Sequence, residues 1–201
     1  MGLLSYMFGL QSKGDFGEEK IQKELNSFFL DGYRKFIQNA YVPLKNGDLT
    51  EVDLIMLHKS YIYVIESKFY QGWIFGSEKQ TNWTQILNKN SKHKFYNPIK
   101  QNQTHINALS LFLGINKSKF ISYIVFANNS TLKKVPESTA NMKILKRENL
   151  FGSVKSIFKS EIENFTTDEV DEIYQRLIPL TEIDQETRNK HIERLKNKAG
   201  H

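Results

Sequence analysis

Two β-prone segments carry ionised side chains beside apolar runs, and these side chains could form a catalytic site. Asp53 interrupts the apolar run over residues 52–57. Glu66 and Lys68 follow the apolar run over residues 62–65. Charged groups are rarely buried unless they pair with one another or bind a metal ion. The pattern therefore indicates either a metal-dependent catalytic centre or a structural cluster of ion pairs at a sheet edge.

The spacing of the two segments sharpens this choice. Only Lys59 and Ser60 separate them, so a tight hairpin is the natural connection. With these two residues as the loop, Asp53 lies directly opposite Glu66, with Cβ atoms roughly 5 Å apart. Carboxylates so placed repel each other, and a divalent cation such as Mg²⁺ or Mn²⁺ removes that conflict. Lys68 follows Glu66 by two residues, so it lies on the same face.

We therefore expect a metal centre formed by Asp53, Glu66 and the backbone carbonyl of Ser67. A cation there stabilises charge on a phosphodiester and lowers the pKa of a bound water. Lys68 would orient or help deprotonate that water and stabilise the developing negative charge. The segment 18–20 repeats the Glu-x-Lys spacing but lies in a predicted helix, without a facing strand.

Periodicity, turn residues and capping signals predict the elements around this pair. The predicted strands cover residues 33–44, 50–58, 61–70, 119–127 and 141–146, with short strands and loops within 71–96. The predicted helices cover residues 14–30, 98–114, 148–160, 167–178 and 184–198. Asn97 caps the second of these, which begins at Pro98 and ends at Gly114, and Pro179 stops the fourth. The expected fold class is α/β, a central mixed sheet flanked by helices.

Residues 14–127 resemble the nuclease-related domain (NERD) family of the PD-(D/E)XK phosphodiesterase superfamily, because five segments occur in the same order as in that family. The matching segments are Gly17-Glu18, Thr50-Glu51-Val52-Asp53-Leu54-Ile55, Val64-Ile65-Glu66-Ser67-Lys68-Phe69-Tyr70-Gln71-Gly72, Trp83 and Asn97-Pro98-Ile99-Lys100-Gln101. The family often has Thr at the position of Ser67 and Ile-Asp at the position of Val52-Asp53. Neither difference removes a needed side chain.

The resemblance implies a restriction-endonuclease-like core and magnesium-dependent cleavage of nucleic acid. It implies that Asp53, Glu66 and Lys68 form the metal centre, and it adds Glu18 and Gln101 to the catalytic residues. From the residues alone, Glu18 is either a metal ligand or water holder, or an acid that favours a helix N-terminus. Gln101 either bonds a phosphate or a lysine in the site, or is an ordinary helix amide.

Three regions are expected along the chain. They are an apolar N-terminal arm over residues 1–13, a nuclease-like domain over 14–147 and a helical C-terminal extension over 148–201. The arm is too short to span a membrane, and we expect it to pack on the domain or on a partner subunit. The arm or the C-terminal helices would then support a homo-oligomer.

Composition limits the possible functions. The 201 residues include no cysteine, which excludes zinc ribbons, thiolate nucleophiles and disulfide scaffolds. The lack of cysteine fits a reducing compartment, and we expect a cytoplasmic location. A net charge of +6 is compatible with a polyanionic partner.

Several residues are candidates for contact with nucleic acid. Four lysines lie close to the start of the predicted helix at Pro98, and they form either a phosphate-binding rim or a solvated loop. These lysines are Lys89, Lys92, Lys94 and Lys100. A second basic stretch comprises Arg188, Lys190, Arg194, Lys196 and Lys198. Trp73 and Trp83 are expected in the core rather than stacked on bases. His58 and His105 are not expected to be metal ligands.

The leading interpretation is a metal-dependent nuclease that hydrolyses DNA, with RNA left open as a substrate. No base-reading motif is present, so we expect low sequence specificity and a role in DNA processing or repair. A nucleic-acid-binding module without cleavage is the first alternative, and a structural or assembly protein is the second.

Overall fold

The structure is a computed structural model. It describes residues 21–23, 25–26, 32–89, 91–184, 186–189 and 193. The described residues of the predicted first helix are helical, and Ile21 and Leu25 are buried. The predicted arm over 1–13, Glu18 and most of the predicted helix over 184–198 lie outside the described residues. Within the described part of the chain, no helix combines the length and apolar character needed to cross a membrane.

The described strands and helices agree closely with the predicted ones. The strands are β1 (Arg34–Pro43), β2 (Leu49–His58), β3 (Ile62–Lys68), β4 (Gly72–Phe75), β5 (Asn82–Asn88), β6 (Ser91–Tyr96), β7 (Phe120–Phe126), β8 (Ser130–Lys134) and β9 (Met142–Lys146). The α-helices are α1 (Pro98–Leu113), α2 (Leu150–Phe158) and α3 (Thr167–Leu177). A 3₁₀ turn over Ile178–Thr181 contains Pro179 and follows α3.

The central sheet is mixed, as the sequence predicts. Its strand order is β1-β2-β3-β7-β9. The first three strands pair antiparallel, and β3, β7 and β9 pair parallel. Within the β2–β3 hairpin, Leu54 pairs with Ile65 and Leu57 pairs with Ile62. This is the register expected from a two-residue loop, so that prediction is confirmed.

A second sheet has the strand order β6-β5-β4-β8. Strand β8 was not among the predicted elements, because its sequence Ser-Thr-Leu-Lys-Lys has no apolar run. It pairs in parallel with β4, so tertiary contact rather than intrinsic propensity makes it a strand.

Helices cover both faces of the central sheet. On one face, α1 and α3 share a hydrophobic core with β1–β3, including Ile55, Leu109 and Ile173. On the other face, Leu150 and Val154 of α2 pack with the side chains of Leu54, Tyr63 and Tyr123. The architecture is therefore three-layered α/β. Helices α2 and α3 belong to the predicted C-terminal extension, yet they pack into the cores of the sheet.

Helix α1 is the element that presents side chains to the end of β3. The Asn97 side chain accepts a hydrogen bond from the Ile99 N–H at 3.0 Å, and Gly114 ends the helix with φ 73°. Both predicted end signals are confirmed. The buried Asn102 amide donates to the Val64 carbonyl at 2.9 Å and to Ser122 Oγ at 2.8 Å. These bonds hold one face of α1 against β3 and β7.

His58 predicts a measurable pH dependence of folding. Its ring stacks on Phe158, and its Nδ1 accepts a hydrogen bond from the Ser60 N–H at 3.1 Å, which only an unprotonated nitrogen can do. Burial, together with the charges of Arg34 and Lys59, lowers the pKa of His58 from 6.5 to about 4. The unfolded chain therefore binds a proton that the folded chain excludes. Stability should fall by about 3 kcal/mol as pH drops from 6.5 to about 4.

Urea unfolding of the wild type and of His58→Phe across this pH range measures the effect. The phenylalanine keeps the ring stacking but cannot titrate, so its free energy of unfolding should change less with pH. Parallel pH curves for the two proteins would contradict the assignment.

Candidate functional site

Asp53 and the end of β3 lie together at the open end of the β2–β3 hairpin. Regular cross-strand pairing ends at Leu54 and Ile65, one residue before Asp53 and Glu66. The Asp53 carboxylate there accepts a hydrogen bond from the Ser67 backbone N–H at 2.8 Å. The structure thus brings Asp53 to the Glu66–Lys68 segment, and the link between the strands is this side-chain bond.

Strand β1 is irregular beside Asp53. Gln38 pairs with Leu54 and Ala40 pairs with Val52, so Asn39 stands across from Asp53 but is not part of the regular ladder. Asn39 has φ 51°, a left-handed conformation that asparagine tolerates better than most residues. The local break in both strands explains how the Asp53 side chain can turn toward the end of β3.

Glu66 is the buried centre of the site, with only 1% of its surface exposed. Its Oε1 lies 2.6 Å from Lys68 Nζ, and its Oε2 lies 3.0 Å from His105 Nε2. Burial raises the pKa of the Glu66 carboxyl, but the Lys68 charge and the His105 hydrogen bond outweigh burial and lower it. Glu66 is therefore a carboxylate at neutral pH.

Lys68 links Glu66 to helix α1. Its Nζ donates a hydrogen bond to Gln101 Oε1 at 3.1 Å. Burial lowers the pKa of Lys68, but the combined effects of Glu66, Tyr70 and Asp53 raise it by more, and the net shift is upward. Lys68 is thus a firmly protonated ammonium in this arrangement. It suits charge stabilisation and positioning better than it suits removal of a proton from water.

His105, which is not expected to be a metal ligand, contacts one side of Glu66. A carboxylate can only accept, so His105 Nε2 donates to it. In a neutral ring, Nδ1 then accepts from the Thr50 hydroxyl, which lies 2.8 Å away. One signal for this contact was present in the sequence. His105 follows Gln101 by four residues, so both lie on the same face of α1.

Comparisons with known proteins identify the family of this chain. The model of the nuclease-related domain matches residues 13–127. The chain belongs to the NERD family. An uncharacterized protein of Bacillus anthracis is 31% identical over 186 residues, covering 92% of this chain and 85% of that protein. The family match ends just after β7, so α2 and α3 lie beyond it.

Two crystal structures match this chain with low similarity. One is the protein of unknown function AF1548, with 14% identity, a TM-score of 0.37 and coverage of 94% of this chain and 99% of that chain. The other is the small subunit of the heterodimeric restriction endonuclease R.BspD6I. It has 10% identity, a TM-score of 0.27 and coverage of 93% and 98% of the two chains. Both TM-scores are too low to define a shared fold.

The donor set of this NERD chain suits a hard cation in its chemistry. Asp53 and Glu66 supply two carboxylates, the ligand type that Mg²⁺ and Mn²⁺ prefer. Glu66 Oε1 is buried, and its partner among the described residues is the Lys68 ammonium, 2.6 Å away. Among described residues, no three His, Asp or Glu side chains are grouped as a metal site. Two carboxylates with waters are nevertheless a sufficient protein contribution for Mg²⁺.

The two tryptophans differ in burial. Trp83 is fully buried, and its indole N–H donates to the Ser77 carbonyl at 3.1 Å, as expected for a core residue. The expectation for Trp73 was wrong, because this residue is 51% exposed. Side chains alternate along a strand, and the neighbouring Ile74 takes the inward position on β4.

The Glu66–Lys68 pair predicts a coupling that a double mutant can measure. Lys68→Met leaves the Glu66 charge buried without its ammonium, which should cost about 3 kcal/mol of unfolding free energy. Glu66→Gln/Lys68→Met leaves no buried charge and should cost less than Lys68→Met alone. Urea unfolding at pH 7 compares them. A loss in the double mutant equal to the sum of the losses in Glu66→Gln and Lys68→Met would show that the two side chains are not coupled.

Proposed function

We propose that this protein is a metal-dependent nuclease that hydrolyses DNA phosphodiester bonds with low sequence specificity, in DNA processing or repair. The observation that carries the proposal is the cluster of Asp53, Glu66, Lys68 and Gln101 at the junction of β2, β3 and α1 in a NERD chain. Each of these side chains was expected at the site from the sequence. Their hydrogen bonds and ion pair link Asp53 to Ser67, and Glu66 through Lys68 to Gln101.

Asp53, Glu66 and the Ser67 carbonyl would hold Mg²⁺ or Mn²⁺. A bound cation supplies charge stabilisation at the phosphate and lowers the pKa of a water molecule. The chain's own contribution is positional. The Ser67 N–H orients the Asp53 carboxylate, and His105 with Thr50 fixes one oxygen of Glu66.

Lys68 is ion-paired with Glu66 Oε1, so a cation bound by this oxygen would displace the ammonium from it. Gln101 Oε1 is already a partner of this ammonium and can keep it beside the site. The protonated lysine, once released from Glu66, would then be able to stabilise negative charge on phosphate oxygens.

A nucleic-acid-binding module without cleavage is the second candidate. One observation favours it: Lys68 and His105 already flank both oxygens of Glu66. If those contacts persist with cations present, the acids are structural. The expected homo-oligomer and the cytoplasmic location remain predictions.

The cleavage test uses charge-neutralising variants of the two acids. Asp53→Asn and Glu66→Gln keep the side-chain shape but remove a carboxylate, so Mn²⁺-dependent cleavage should fall on the order of 10²-fold or more. Plasmid DNA and circular single-stranded DNA are incubated with Mg²⁺, Mn²⁺ or EDTA, and the products are resolved on gels. EDTA should abolish cleavage by the wild type.

Glu51→Gln is the matched control, since it makes the same charge change on β2. Its carboxylate accepts a hydrogen bond from the Tyr41 hydroxyl at 3.0 Å. Full activity in Asp53→Asn would refute the assignment. DNA binding without any products under Mn²⁺ would favour the binding module instead.

A further inference from the structure

The second sheet has one face against the core and one face toward solvent. On the inner face, Ile74 and Trp83 pack against Ile124 and Phe126 of strand β7 in the central sheet. Because side chains alternate, the residues between these point outward. The outer face is defined here by six side chains: Trp73, Ile86, Lys92, Lys94, Tyr96 and Lys133.

Strand register brings these side chains together. Trp73 pairs with Ile86 on β5, and Ile86 pairs with Lys92 on β6. Lys133 Nζ lies 5.1 Å from the centroid of the Trp73 ring. Trp73 is 51% exposed and Tyr96 is 49% exposed. An exposed tryptophan therefore lies among lysines on a sheet surface.

All the charged side chains in the strands of this sheet are positive. Strands β4, β5, β6 and β8 contain four lysines and no aspartate or glutamate. Exposed aromatic rings among cations, with no acidic side chain in the strands, are complementary to a ligand with flat rings and negative charges. Single-stranded DNA has both, and in a duplex the base faces are already stacked on each other.

We propose that the outer face binds single-stranded DNA, with bases stacked on Trp73 and Tyr96 and phosphates contacted by Lys92, Lys94 and Lys133. An exposed cation–π contact is worth about a two- to fivefold factor, whereas stacking of one base contributes about fivefold to a hundredfold. A base therefore displaces Lys133 from the Trp73 ring. The displaced ammonium stays next to the phosphate that accompanies that base.

This surface joins the candidate site at two places in the chain. Lys68 ends β3 and Gly72 begins β4, while Tyr96 ends β6 and Pro98 begins α1, the helix that carries Gln101. The inference rests on the proposed function in taking nucleic acid as the ligand. It adds that the unpaired strand is the preferred form of DNA.

Binding is measured with the full chain in EDTA, which prevents cleavage. The probe is a fluorescent oligothymidine of about 20 nucleotides, longer than the roughly 4–16 that a comparable stacking surface covers. Trp73→Ala should weaken binding about tenfold, and Trp73→Phe should restore part of it. Lys92→Gln/Lys94→Gln should reduce the slope of log K against log salt by about 1.4.

Two controls separate this face from general effects of charge and apolar surface. Leu111→Ala removes an exposed apolar side chain on α1, and Lys155→Gln/Lys159→Gln removes two lysines at α2. Both should bind the probe like the wild type. A duplex of the same length should bind the wild type more weakly than the single strand and should be less sensitive to Trp73→Ala.

Three results would overturn the proposal. The first is that the Trp73 and Lys92/Lys94 variants bind with the affinity and salt slope of the wild type. The second is that the wild type does not bind single-stranded DNA. The third is that Trp73-dependent binding is found with phosphatidylserine vesicles in place of DNA. Manganese-dependent cleavage of plasmid DNA would still support the proposed function in each case. Conversely, binding without cleavage would leave this surface standing while the nuclease assignment fails.

Discussion

Burial of the Glu66 carboxylate is the constraint on which the site depends. A carboxylate with 1% of its surface exposed needs compensating partners, and Lys68 supplies a positive charge on one side while His105 donates a hydrogen bond on the other. Each partner comes from a different element, β3 itself and helix α1. The position of α1 against the end of β3 is therefore part of the electrostatics of the site. Asn102 and the Asn97–Pro98 helix start keep it there.

The same arrangement explains why the site lies at this point of the sheet. At β3 the sheet changes from antiparallel pairing with β2 to parallel pairing with β7. The regular β2–β3 ladder stops at Leu54 and Ile65. Beyond it, the two strands are connected by the hydrogen bond that the Asp53 carboxylate accepts from the Ser67 backbone N–H. Backbone groups and side chains freed from the ladder are what a cation and a phosphate need as partners.

Local signals predicted much of this molecule. Hairpin register followed from a two-residue loop, and the limits of α1 followed from Asn97, Pro98 and Gly114, because these features act within a few residues. The proximity of Asp53 to the Glu66–Lys68 segment followed from that register. What local signals could not supply was the contact between Glu66 and His105, residues 39 apart in sequence. The pairing of β8 and the outward direction of Trp73 likewise depend on how the second sheet packs.

The central proposal is that Asp53 and Glu66 would hold a divalent cation, with the Lys68 ammonium displaced from Glu66. Crystals grown with Mn²⁺, with anomalous difference maps recorded near the manganese edge, test it most directly. The account predicts a peak between the Asp53 and Glu66 carboxylates, with Lys68 Nζ withdrawn from Oε1 and still bonded to Gln101. No peak there, with the Lys68–Glu66 ion pair intact at saturating Mn²⁺, would contradict it.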